Sequence, residues 1–154
     1  MTQKDKELLL HKDLCARFLY GVRGKCEIDA SYDKSFDTKF QTHKFDAVVY
    51  GLKEDLLLVT PLIEDIDEQQ FAEEEVADGV DILDFKPYLR PMSSMTDEEK
   101  LEYRKTQWVY QADYCAPEYF DDLESYDWLN KNHFDYRGLI EKGLAIDATG
   151  LNIY

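Results

Sequence analysis

Within "DWLNKNHFD" the chain places Asp127, His133 and Asp135, two carboxylates and an imidazole within nine residues. Oxygen and nitrogen donors of this kind hold divalent cations in hydrolases, where the metal activates water. The plainer reading makes Asp135 a helix N-cap and His133 a partly buried loop residue. That reading is preferred, and no metal or other cofactor is expected. His11 and Cys15 stand four apart, on one face of a helix, as two ligands or as a base and its nucleophile. Both fall in an apolar stripe, which favours a packed thiol beside a hydrogen-bonded imidazole.

Two further features offer binding rather than catalysis. Trp108, Tyr110, Tyr114, Tyr119, Phe120, Tyr126 and Trp128 crowd into one short stretch. Tyr and Trp give large contact area at small entropic cost, so the cluster is a candidate interaction surface; the alternative is packing of C-terminal helices onto a sheet. Glu73, Glu74, Glu75 and Asp78 form an acidic patch inside the segment 64–81. Carboxylates held in fixed rows could imitate nucleic-acid phosphates, whereas a solvated loop or short exposed helix would only keep that segment in water. There is no P-loop, GxGxxG, GxSxG or HExxH pattern.

Around these residues the composition bounds the rest. A chain of 154 residues fits one α+β domain spanning 1–154. Its 44% hydrophobic and 14% aromatic content argues for a packed core. The formal net charge is −15, carried unevenly: residues 1–50 hold 9 Lys and Arg against 8 acids, residues 51–100 hold 4 against 15, and residues 101–154 hold 5 against 10. Such a charge repels phosphate and anionic lipid, so neither nucleic acid nor a membrane is an expected direct partner; an unknown protein, particularly a basic one, is. Three cysteines without a Cys-x-x-Cys spacing, no apolar run of transmembrane length and no signal peptide point to a reducing cytoplasm. The oligomeric state is left open.

The elements that must position these residues follow from periodicity. Asp5 or Thr2 caps a helix to about Leu19, with Leu8, Leu10, Leu14, Cys15, Phe18 and Leu19 on its apolar half and Asp13 and Arg17 outside or at the edge. Gly21 ends it. "VRGKCEIDA" alternates as a half-buried strand with Gly24 a possible bulge. "KFDAVVYGLKEDLLLVTPL" reads as a hairpin turning over Gly51–Asp55. "VDILDFKPYL" is a further strand, at an edge or ending near Pro87, which has no N–H for a ladder. Thr96 to Glu99 matches a capping box for a helix from Asp97 to about Trp108. Asp121 or Asp122 caps a helix to about Lys131 burying Leu123, Tyr126 and Leu129, and Asp135 caps a short helix closed by Gly143 and a Leu139–Leu144 contact. The outline is an N-terminal helix, a small antiparallel curled sheet or SH3-like barrel, and two to three C-terminal helices.

Three stretches, "LHKDLCARFLYGV", "FKPYLRPMSSMTDEE" and "DWLNKNHFDYRGLIEKGLA", make up about a third of the chain. In that order they resemble a widespread set of small acidic proteins of gut Bacteroidales and of their phages and mobile elements. The acidic segment 64–81 has no counterpart in the resemblance. No established activity goes with that set, so no functional residue carries over. What the resemblance implies is a bacterial or phage cytoplasmic setting. The reading reached is a non-enzymatic protein-protein interaction module. Its first alternative is an acidic inhibitor that mimics nucleic acid; a metal-dependent hydrolase stands last.

Overall fold

The structure, a computed structural model, describes residues 1–30, 41–54, 56–107 and 122–154. Helix α1, Gln3–Arg17, begins at a capping box in which Thr2 Oγ1 accepts from the Asp5 amide and the Asp5 carboxylate accepts from the Thr2 amide. A 3-10 turn, Phe18–Tyr20, follows, and Gly21 in the left-handed region (φ 67°) ends the element. The buried stripe is not the expected arc. It consists of Leu10, Asp13, Leu14 and Arg17, while Leu8 is 54% and Leu19 81% exposed and Cys15 faces solvent. The spacing i, i+3, i+4, i+7 is the ordinary core-facing stripe, but two of its four members are charged and pair with each other.

Strand β1, Arg23–Ala30, pairs antiparallel with β2, Gln41–Lys53, and β2 with β3, Leu56–Pro61. Phe45, Ala47 and Val49 of β2 point into the core with Cys26 of β1 and Leu57 and Val59 of β3, as period-two alternation requires. The register shift lies between Val49 and Gly51, so Gly51 sits within β2 at an irregularity, and the chain reverses beyond Lys53 instead of over Gly51–Asp55. Gly24 is regularly paired, opposite Ala47 on one side and Pro87 on the other, and is no bulge.

The acidic segment contains a helix. Asp65 caps α2, Ile66–Glu75, accepting from the Asp67 and Glu68 amides, and Ala72 and Val76 are buried in the main core. Gln69 ties the helix down: its amide group bonds the Ile63 N–H and the Pro61 carbonyl. Strand β4, Val80–Asp81, then adds to β3.

Strand β5, Phe85–Pro91, runs through Pro87 and lies inside the strand order β4-β3-β2-β1-β5-β6, so it is neither an edge strand nor stopped by the proline. The expected all-antiparallel sheet is corrected in the same place. The two-residue strands β6, Phe134–Asp135, and β7, Ile146–Asp147, both pair with β5 in parallel. With β4 at one end and β6 at the other the sheet is mixed and open, not an SH3-like barrel. The fold class is α+β.

Helix α3, Asp97–Thr106, carries the expected capping box: Thr96 Oγ1 accepts from the Glu99 amide at 3.2 Å and Glu99 accepts from the Thr96 amide at 2.8 Å. Helix α4, Asp122–Lys131, packs Leu129 with Met95 and Phe134 in a second, smaller core. It does not bury Leu123 or Tyr126, which are 82% and 50% exposed; Ser125, Leu129 and Asn130 face inward instead. The segment after β6 forms a turn, not a helix. Asp135 accepts from the Leu139 and Ile140 amides at 2.8 Å each, and the Leu144 and Gly143 amides close onto the Leu139 and Ile140 carbonyls. Both Schellman bonds are present, with Gly143 at φ 69°, around a single turn.

Candidate functional site

The structure separates the three residues of "DWLNKNHFD". Asp127 is exposed on α4 and takes a short hydrogen bond from the Tyr20 hydroxyl, which raises the tyrosine's pKa. His133 is buried at a left-handed position (φ 57°), its ring stacked on Tyr154 with centroids 3.6 Å apart. Asp135 is buried and consumed by its two amide bonds. Among the described residues no group of three His, Cys, Asp or Glu is placed to hold a metal ion. Burial, then the positive charges of Arg17 and Arg90, push the His133 pKa down to about 4, so its ring is neutral near pH 7.

His11 Nδ1 lies 3.7 Å from Cys15 Sγ, but on the solvent side of α1 instead of in an apolar stripe. The other described thiol, Cys26, is fully buried between strands, and burial raises its pKa to about 12. Glu73, Glu74, Glu75 and Asp78 are all exposed, the three glutamates on the last turn of α2. Gln69 and Gln70 each donate one turn onward, to Glu73 and Glu74.

The expected aromatic surface divides. Trp108, Tyr110, Tyr114, Tyr119 and Phe120 lie outside the described residues. Trp128 is partly buried, stacked on Phe134 at 5.6 Å and 9° and set against Tyr103, so it packs against the smaller core. Tyr126 stays half exposed, its ring 5.2 Å from that of Tyr136. These two rings wall an open cleft of about 990 Å³ between α1 and α4, with Asp127, Glu124 and Arg137 also on its lining. Among the described residues its lining has no serine, cysteine or histidine. The lining combines two aromatic rings with the Glu124 and Asp127 carboxylates and the Arg137 guanidinium.

Behind the cleft sits a cluster the sequence reading did not find. Arg17 donates to Asp13 from Nε at 2.8 Å and from Nη2 at 3.1 Å, and from Nη2 to the Phe134 carbonyl at 2.7 Å. Arg137 Nε approaches the same carboxylate at 3.2 Å, while its Nη2 donates to the Tyr136 hydroxyl, which donates to Asn130. One buried carboxylate thus serves two guanidinium groups. The available signal was the 10-13-14-17 spacing, which places Asp13 and Arg17 on the stripe of Leu10 and Leu14.

No helix among the described residues is long and apolar enough to cross a membrane. No protein-family model, curated protein or solved structure was found to match the chain.

Proposed function

We propose that the chain acts without catalysis, as a cytoplasmic protein-protein interaction module of bacterial or phage origin, and that the cleft beside α4 is its contact surface. The observation that carries this reading is Tyr126, a large ring left half exposed at the wall of an open cleft. Side chains of that kind anchor interfaces because they bury much area and lose few rotamers. The neighbouring elements hold the wall rigidly, since Tyr136 is braced by Asn130 and Arg137.

A second reading has its own support. Mimicry of nucleic acid needs carboxylates held in a fixed array, and the acidic segment is a capped helix instead of a loose loop. Its partner would be a basic groove, and long-range attraction would govern the association rate.

Affinity capture from a bacterial cytoplasm with three baits separates the two. With the contact surface at the cleft, Tyr126→Ala loses the partner that wild type retains, and replacement of Glu73, Glu74 and Glu75 by Gln keeps it. The reverse pattern, with the partner displaced by DNA or RNA, transfers the function to α2.

A further inference from the structure

We infer that the guest of this cleft is an arginine side chain presented by a basic segment of the partner protein. The inference rests on the interaction reading and names the chemistry that the same site takes. Tyr136 already has guanidinium groups over its ring, Arg137 at 4.7 Å and Arg17 at 5.4 Å. Tyr126, on the open side of the pair, has no cation over it among the described residues. The electron-rich face of an exposed tyrosine attracts a guanidinium, which stacks flat on it.

Charge points the same way. Asp127 stands exposed on the cleft lining, and its single hydrogen bond among the described residues, from Tyr20, leaves acceptor sites on the carboxylate. Glu124 adds a second carboxylate to the lining. The one basic residue there among the described residues, Arg137, turns its Nε inward to the buried Asp13. The chain as a whole carries a net charge of −15, which draws basic partners and repels acidic ones. Arginine fits better than lysine because a planar fork can stack on a ring and pair with a carboxylate at once, whereas an ammonium is a compact, strongly hydrated charge.

The test is calorimetric titration of the full chain with three synthetic peptides of equal length, rich in arginine, lysine or glutamate. The arginine peptide binds, the lysine peptide binds about fivefold or more weakly, and the glutamate peptide does not bind. Tyr126→Leu and Asp127→Asn, each checked for an unchanged melting temperature, weaken the arginine peptide about fivefold. Replacing Glu73, Glu74 and Glu75 by Gln leaves its affinity unchanged. Equal binding of arginine and lysine peptides, lost in the triple Gln variant, means diffuse attraction to α2 and overturns the inference. Binding of the glutamate peptide, abolished by Arg137→Gln, overturns it with the opposite sign. If a captured partner needs Tyr126 but is not displaced by the arginine peptide, the guest is wrong and the interaction reading survives. If neither a Tyr126-dependent partner nor peptide binding is found, both fall.

Discussion

Arg17 and Asp13, one turn apart on α1, form a two-bond ion pair with both side chains at 0% exposure. Removing one member strands the other in the core. Asp13→Ala leaves two guanidinium groups without their shared carboxylate and should cost about 3–5 kcal/mol in urea unfolding. Replacing both members with apolar residues of similar size, Asp13→Leu with Arg17→Met, should cost less than the single change. A double variant less stable than Asp13→Ala would show that the pair contributes net stability beyond cancelling its own desolvation.

Gly24 occupies a crowded crossing of β1 and β5. A Cβ there would sit 2.4 Å from Phe85 Cζ and 2.5 Å from the Lys86 carbonyl oxygen, and backbone cannot move aside as a side-chain tip can. Gly24→Ala should therefore destabilise by about 1–3 kcal/mol despite alanine's smaller unfolded-state entropy. Thermal melting checks it. The same change at Gly51, where the nearest atom is Leu58 Cδ1 at 3.2 Å, should be milder.

Thr96→Ala removes a helix cap and should lower stability by about 0.5–2 kcal/mol. Its partner Glu99 also accepts two hydrogen bonds from Arg90, at 2.7 and 2.9 Å, and these bonds from Arg90 hold its carboxyl below the ordinary range. A depressed carboxyl pKa stabilises the fold above the unfolded pKa, and the contribution is lost as pH falls through the folded value. Glu99→Gln should flatten the acid side of the stability profile, measured by urea midpoints against pH. An unchanged acid limb would mean that the Arg90 pair is immaterial.

His133 titrates near 4 in the folded chain against an ordinary value of 6.5. The unfolded chain binds the proton first, so stability is full above about 6.5, declines as pH falls from there to about 4, and levels off below. His133→Asn tolerates the left-handed backbone and should remove this slope. NMR titration should place the His133 ring well below the ordinary imidazole value of 6.5. A His133 midpoint above 6 would contradict its burial.

Native alkylation should label Cys15 and spare Cys26, because the first is exposed and the second is buried with its pKa raised to about 12. In denaturant without reductant, three free thiols per chain are expected. Peptide mapping gives both results, and a count of one would mean a disulfide.

Local signals were legible in the residue order because they rest on contacts within four or five positions. The Thr2 cap, the Thr96 capping box, the Gly21 stop and the paired Schellman bonds at Gly143 and Leu144 all need only neighbouring backbone and a side chain of the right length. The alternation of Phe45, Ala47 and Val49 was legible because a one-sided sheet imposes a period of two. Net charge likewise belongs to the sequence alone.

Which side of each helix is buried was decided only by the assembled fold. Asp13 and Arg17 look like surface residues until Arg17 reaches the Phe134 carbonyl, 117 positions away, and Arg137 comes back to Asp13. Pro87 reads as a strand end, yet it lies within β5, in register with Gly24 of β1. Asp127, His133 and Asp135 are close in sequence, but one caps a turn, one stacks on Tyr154 and one faces Tyr20, so proximity along the chain did not become a metal site. Tyr126 and Trp128 are two residues apart, which on a helix turns them about 200° from each other. One ring therefore enters the small core and the other is left at the cleft, a difference set by what packs against α4 and not by residue type.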